Sequence, residues 1–242
     1  MKKKLYRAAL AVILLWGGLF QASAGRQQDF RIGGIEDYPL NPLAQTILTE
    51  AYRPLGITLQ FSEWPSPRSL ALTDSGQLDG EMGRIAGRQR DYPDIRQVNV
   101  PLITLNIVAV STSPALQNIP WPYLGRYRIG ISRGLLLYEK MPLDGGDTED
   151  IATAERLLLM LRSDRLDLVL VPQLVAAVWQ RQPGPPLYIT PYPQGVFPVY
   201  HYVNKRHSDL IPALEQSLLQ MQDSGRLLQL KEEFMQRRPT PH

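Results

Sequence analysis

The 242-residue chain carries three groups of residues whose types and spacing could do chemistry. Gly130-Ile-Ser-Arg-Gly134 fits the G-x-S-x-G pattern of a nucleophile elbow and follows a strand-like run. A secreted serine hydrolase would use Ser132 as nucleophile, Asp167 as the acid, and His201 or His207 as the base. Two of the five positions in that pattern are free, and no His-Gly oxyanion segment lies upstream. The second group is the metal-ligating types. There is no cysteine, and His201, His207 and His242 lack paired ligand spacing. Asp144 to Asp150 is acidic but lacks the alternating ligands of a calcium loop. No metal and no cofactor is expected.

The third group is arginine with aromatic residues: Arg68, Arg84 and Arg133, with Tyr38 and Trp64. A guanidinium is a planar fork of donors that matches a carboxylate or phosphate. Arg68 and Arg133 fall near expected helix starts, where the helix dipole disfavours a cation and a bound anion would relieve the conflict. Arg88 and Arg90 lie in the loop after Arg84, and the sequence alone leaves open which of the three faces a cleft.

The elements that must position these residues alternate. Phe30 to Ile35 reads as a strand, and Asn41-Pro42 opens a helix with Leu43, Ile47, Leu48 and Ala51 on one face. Ile57 to Phe61 is a second strand, Ser66-Pro67 starts a second helix, and Leu78 to Ile85 is a third strand. Val98 to Val110 is a long extended stretch, followed by a proline-bearing linker from Ser113 to Tyr123. The alternation then resumes. Tyr127 to Ile131 is a strand, and Asp147 to Ala152 opens a helix reaching about Leu161. Leu166 to Val171 is an apolar strand, Gln173 to Gln180 a helix, and Leu187 to Thr190 and Gly195 to Val203 are extended. Two helices, around Leu210 to Met221 and Leu227 to Met235, close the chain. This pattern predicts an α/β fold with mostly parallel sheets in two lobes. In such sheets ligands sit at the carboxyl ends of strands. Tyr38, Trp64, Arg84 and Arg133 all fall at such ends.

Several stretches in order carry a resemblance: Arg31-Ile-Gly-Gly-Ile-Glu-Asp-Tyr-Pro39, Gly76-Gln-Leu-Asp-Gly80, Arg128-Ile-Gly-Ile-Ser-Arg-Gly134, Arg165-Leu-Asp-Leu-Val-Leu170, and Asp223-Ser-Gly-Arg-Leu227 followed by Glu232-Glu-Phe234. Together they resemble the family 3 extracellular solute-binding proteins, whose type members are polar amino-acid receptors. The resemblance implies a type II periplasmic-binding-protein fold: two lobes, joined by two crossing strands, that close on a ligand. It divides the chain into residues 25–108 for the first lobe, 109–200 for the second, and 201–242 for the helices returning to the first. The crossing strands would lie near Leu105 to Val110 and Val199 to Val203. It implies a non-enzymatic receptor, monomeric, binding a small anionic or amino-acid-like solute through Tyr38, Trp64, Arg68, Arg84, Arg133 and Gly134. An ABC permease or a membrane sensor would be the partner. Some members of the family are periplasmic enzymes, so a dehydratase is the other alternative. The second lobe's first helix would begin Gly134-Leu135-Leu136-Leu137, without the hydroxyls usual there, and no acid follows the strand ending near Val171.

The ends of the chain set its compartment. Lys2, Lys3, Lys4 and Arg7 precede an apolar run from Ala8 to Phe20, and Ala22-Ser23-Ala24 supplies small residues before Gly25. That is the layout of a secretory signal peptide. Without those residues the chain has 22 basic against 23 acidic groups, so the net charge of +3 reflects the leader and is no nucleic-acid footprint. A periplasmic protein is expected. Intact mass of protein from a periplasmic extract should begin at Gly25, and retention of residues 1–24 there would refute the expectation.

Overall fold

The computed structural model describes residues 29–132 and 147–236; the leader, Arg133 and Gly134 lie outside the described residues. Phe30–Ile35 forms strand β1, with Phe30 and Ile32 buried. Gly33 and Gly34 follow because there is no room for a side chain. A Cβ on Gly33 would sit 2.5 Å from Ser69 Oγ and 2.6 Å from Leu78 Cδ1. Helix α1, Asn41–Tyr52, has proline in its first turn and buries Leu43, Ile47, Leu48 and Ala51 against the sheet. The Asn41 amide donates to the Ile35 carbonyl at 2.6 Å, which ties the helix start to the end of β1.

Strand β2, Leu59–Trp64, pairs parallel with one side of β1, and β3, Gly80–Ile85, with the other. Helix α2, Ser66–Asp74, connects them. Strand β4 runs from Ile95 to Ser111. Beyond it, β5 (Arg128–Ser132) pairs parallel with β6 (Asp147–Ile151) and β7 (Leu168–Pro172). Helix α3, Ala154–Arg162, lies between β6 and β7, and α4, Gln173–Gln180, follows β7. Strand β8, Tyr188–Asn204, returns antiparallel along nearly the whole of β4. The single sheet reads β2-β1-β3-β8-β4-β7-β5-β6.

Two parallel units thus flank one long antiparallel pair. The carboxyl-terminal part of β8 pairs with β3, and the carboxyl-terminal part of β4 pairs with β7. Leu105 opposite Phe197 and Asn106 opposite Val196 lie between the two units, beside a register shift. Helices α5, Ile211–Asp223, and α6, Arg226–Gln236, then return to pack on α1. Arg226 grips Glu50 of α1 with two hydrogen bonds of 2.7 and 2.9 Å. This is the α/β, two-lobed architecture expected.

Two elements differ from the sequence reading. Asp147 to Ile151 is an edge strand, not the first turn of a helix; α3 starts later, where Thr153 accepts from the Arg156 backbone N–H at 3.2 Å. The stretch from Tyr188 to Asn204 is one strand, not two. Among the described residues no helix is long and apolar enough to cross a membrane.

The closeness of β1 to α2 and β3 gives a stability test. Gly33→Ala should cost about 1–3 kcal/mol through overpacking, measured by urea unfolding. An unchanged midpoint would show that Ser69 and Leu78 yield freely.

Candidate functional site

At the carboxyl ends of β1 and β3 the structure encloses a cavity of about 70 Å³. Its walls are apolar: Leu40, Ala44, Leu70, Leu102, Leu105 and Val199. Its polar groups are Tyr38 from the turn after β1, Asn41 and Ser66 from the starts of α1 and α2, Glu81 and Arg84 from β3, and Arg88 just beyond. Gly87, at φ +95°, turns the chain after β3 and delivers Arg88 back to the cavity.

Glu81 is completely buried. One of its oxygens accepts from Ser69 Oγ, and the other lies 3.0 Å from Arg84 Nη2. Arg84 is itself 8% exposed and also reaches the Ser66 carbonyl at 3.4 Å. Burial pushes the Glu81 carboxyl up and the Arg84 guanidinium down, while each partner's charge opposes the shift. A guanidinium stays protonated in such surroundings, so the two form a buried ion pair. Burial also holds the Tyr38 phenol well above its ordinary value, so it stays a neutral donor.

What distinguishes the cavity is unmet hydrogen bonding. Tyr38 Oη, Glu81 Oε1, Arg84 Nε and Arg88 Nε are buried without a hydrogen-bond partner. All four residues line this cavity. Buried polar atoms are ordinarily satisfied, so a cluster of orphans around one void marks a place where something polar binds. Three of the four are donors, which asks for an acceptor-rich group.

The sequence-derived candidates separate. Tyr38 and Arg84 come together, and Arg88 rather than Arg90 joins them; Arg90 is exposed and does not line the cavity. Trp64 ends β2 half-buried, and the exposed Arg68 stacks over its ring at 5.0 Å. That pair stands outside the cavity lining. Arg133 and Gly134 fall outside the described residues. Sequence reasoning missed Leu102, Leu105 and Val199 as walls; they come from the long strands, whose pairing only the fold reveals.

The hydrolase constellation is not assembled. Asp167 receives the Arg128 backbone N–H at 2.9 Å and its guanidinium at 2.7 Å. That places Asp167 at the start of β5, while Ser132 ends it, about 13 Å away at strand rise. His201 is fully buried between Tyr52 Oη (2.8 Å) and the Glu81 carbonyl (2.7 Å), and His207 bonds Asp79 at 2.9 Å. Both histidines are committed elsewhere. Among the described residues no cluster of histidine and acids could hold a metal ion.

Two α/β units bridged by a long strand pair, with an apolar-walled cavity at the strand ends of the first, define the class: a two-lobed type II periplasmic-binding-protein fold. The chain is similar in structure to the ligand-binding core of GluR0 in complex with L-glutamate, with a TM-score of 0.77 and 12% identity, covering 87% of this chain and 100% of that one. It is also similar to AbpA of Streptococcus pneumoniae, an amino acid ABC transporter substrate-binding protein bound to L-arginine. There the TM-score is 0.73 and the identity 16%, covering 86% of this chain and 94% of that one. In sequence, an uncharacterized protein of Shewanella oneidensis is 23% identical over 194 residues, 75% of this chain and 72% of that one. No protein-family model matches the chain.

The buried histidine gives a pH prediction. Burial pushes His201 down to about 4 from its ordinary 6.5, against the hydrogen bonds to the Glu81 and Met82 backbone. Between those values the unfolded chain binds a proton that the folded one does not. Stability should therefore be lost as pH falls from 6.5 to 4, by about 3 kcal/mol in total. Urea midpoints across that range check this, and His201→Gln should flatten the dependence.

Proposed function

We propose that the protein is a periplasmic solute-binding protein whose lobes close on a small anionic or amino-acid-like solute. The cluster of orphaned donors, Tyr38 Oη, Arg84 Nε and Arg88 Nε, around one cavity at the strand ends carries the reading. A cavity of about 70 Å³ suits one end of a solute, whereas whole small-molecule sites span roughly 300–1,000 Å³. The second lobe then supplies the remaining surface; the sequence candidates Arg133 and Gly134 follow Ser132 in the chain and lie outside the described residues. Closure pivots on β4 and β8 where they pass between the lobes. Trp64 and Arg68, stacked on each other outside the cavity lining, have no part in this reading of the cavity. The role is binding and not turnover, in service of an ABC importer, as for AbpA, or of a membrane sensor.

A thermal-shift screen of small solutes tests the reading. Ligand at a hundredfold over its Kd should stabilise the native state by about 2.7 kcal/mol, a rise of roughly 5–10 °C for a chain of this size. The shift should survive Ser132→Ala. Ester turnover that disappears in Ser132→Ala would replace this reading with the hydrolase.

A further inference from the structure

The two long strands carry unequal lengths of chain where they pass between the lobes. Asn106 of β4 pairs with Val196 of β8, and the next pair is Val108 with Pro191. Ile107 alone therefore stands against Tyr192, Pro193, Gln194 and Gly195, four residues of β8 to one of β4. An ordinary bulge sets two against one. The place of the excess is defined. β3 accompanies β8 only as far as Val199, and β7 accompanies β4 from Ile107 onward. Residues 192–195 thus lie at the edge of the crossing, on the second lobe's side.

The excess chain is closed over. The Tyr192 ring is buried, with its centroid 4.1 Å from that of Trp121. Trp121 Nε1–H donates to the Pro191 carbonyl at 2.9 Å, just before the bulge. Trp121 opens a short 3-10 turn, Trp121–Arg126, that packs on β5 of the second lobe. Gly195 completes the arrangement: a Cβ there would collide with Tyr192 Cδ1 and lie 3.1 Å from Ile107 Cβ. The tyrosine ring fills the space that a side chain at 195 would need.

We infer that residues 192–195 are the slack that lets one lobe turn against the other, and that Trp121 with Tyr192 is the clasp that keeps this slack folded. When a strand pair bends, one strand must lengthen relative to its partner. β4 has no spare residue at this point, so β8 supplies the length. Releasing Tyr192 from Trp121 frees it. Both are positioning residues, and neither lines the cavity. The inference rests on the lobe closure of the solute-binding reading and concerns what restrains it.

The chain has no cysteine, so Leu159→Cys on α3 and Leu219→Cys on α5 give one pair of spin labels at exposed positions in opposite lobes. Pulsed electron paramagnetic resonance on the empty protein reads their separation. In this background Tyr192→Ala should raise the population of a second inter-lobe distance roughly two- to tenfold, as the loss of one aromatic pair implies. Gly195→Ala keeps both rings but drives Tyr192 from its seat, and it should do the same. Tyr192→Phe keeps the stack and should leave the distribution unchanged. A pair serving only the structure of the second lobe would lower the melting temperature without moving the labels. Unmoved labels in either Tyr192→Ala or Gly195→Ala, or Tyr192→Phe moving them as far as Tyr192→Ala, would overturn the inference. The solute-binding reading would still stand or fall by the thermal-shift screen, because no solute enters this experiment.

Discussion

The antiparallel pairing of β4 with β8 is the constraint on which the rest of the molecule depends. Each strand has 17 residues, about three times the usual length, and each serves both units of the sheet. One unit borrows the end of β8 beside β3, and the other borrows the end of β4 beside β7. Parallel sheets need such a frame, because strands of like direction cannot be joined by tight turns. Among the described residues the pair is also the only sheet connection between the units. Its middle carries Pro198 opposite Thr104 and a register shift after Asn106. Prolines and shifts remove ladder hydrogen bonds, so the frame is most easily bent where bending would move one unit against the other.

The Glu81–Arg84 pair is a local dependence of a different kind. Burying two charges contributes little net stability, and a hydrophobic pair of similar volume often does as well. What the pair fixes is orientation. Arg84 sits on the strand next to Gly33, whose missing side chain lets Ser69 approach Glu81 from α2. Sheet, helix and cavity are thereby held to one arrangement of donors. Preorganised donors lose less rotamer freedom when a solute arrives, which is where affinity in small sites comes from.

Much of this was legible in the sequence, for identifiable reasons. The apolar spacing of Leu43, Ile47, Leu48 and Ala51, and the Pro67 helix start, mark their elements because local rules set them. Tyr38 and Arg84 were expected near strand ends, and both line the cavity there. Asp147 to Ile151 misled because acids before an apolar run look like a helix N-terminus, and only pairing with β5 shows otherwise. Pro191, Pro193, Gly195 and Pro198 made β8 look broken, yet β4 holds it continuous. The role of Arg88 was hidden for a stronger reason. It depends on Gly87 turning the chain after β3 so that Arg88 lines the cavity, and which side chains line a cavity is a property of packing, not of spacing.

Among the described residues the two edges of the sheet carry no further strand, which has a consequence for how copies of the chain meet. β6 presents Asp147, Thr148, Glu149 and Asp150, all exposed, and β2 at the opposite edge exposes Gln60 and Glu63. Bare strand edges are templates for another strand, and charged side chains along them are a common defence. Another copy laying its β6 or β2 beside this one brings carboxylates against carboxylates. That defence is electrostatic, so it has a range: about 10 Å in 0.1 M salt and about 3 Å in 1 M. Dilute buffer keeps the edges apart, whereas concentrated salt uncovers the backbone groups the acids were guarding.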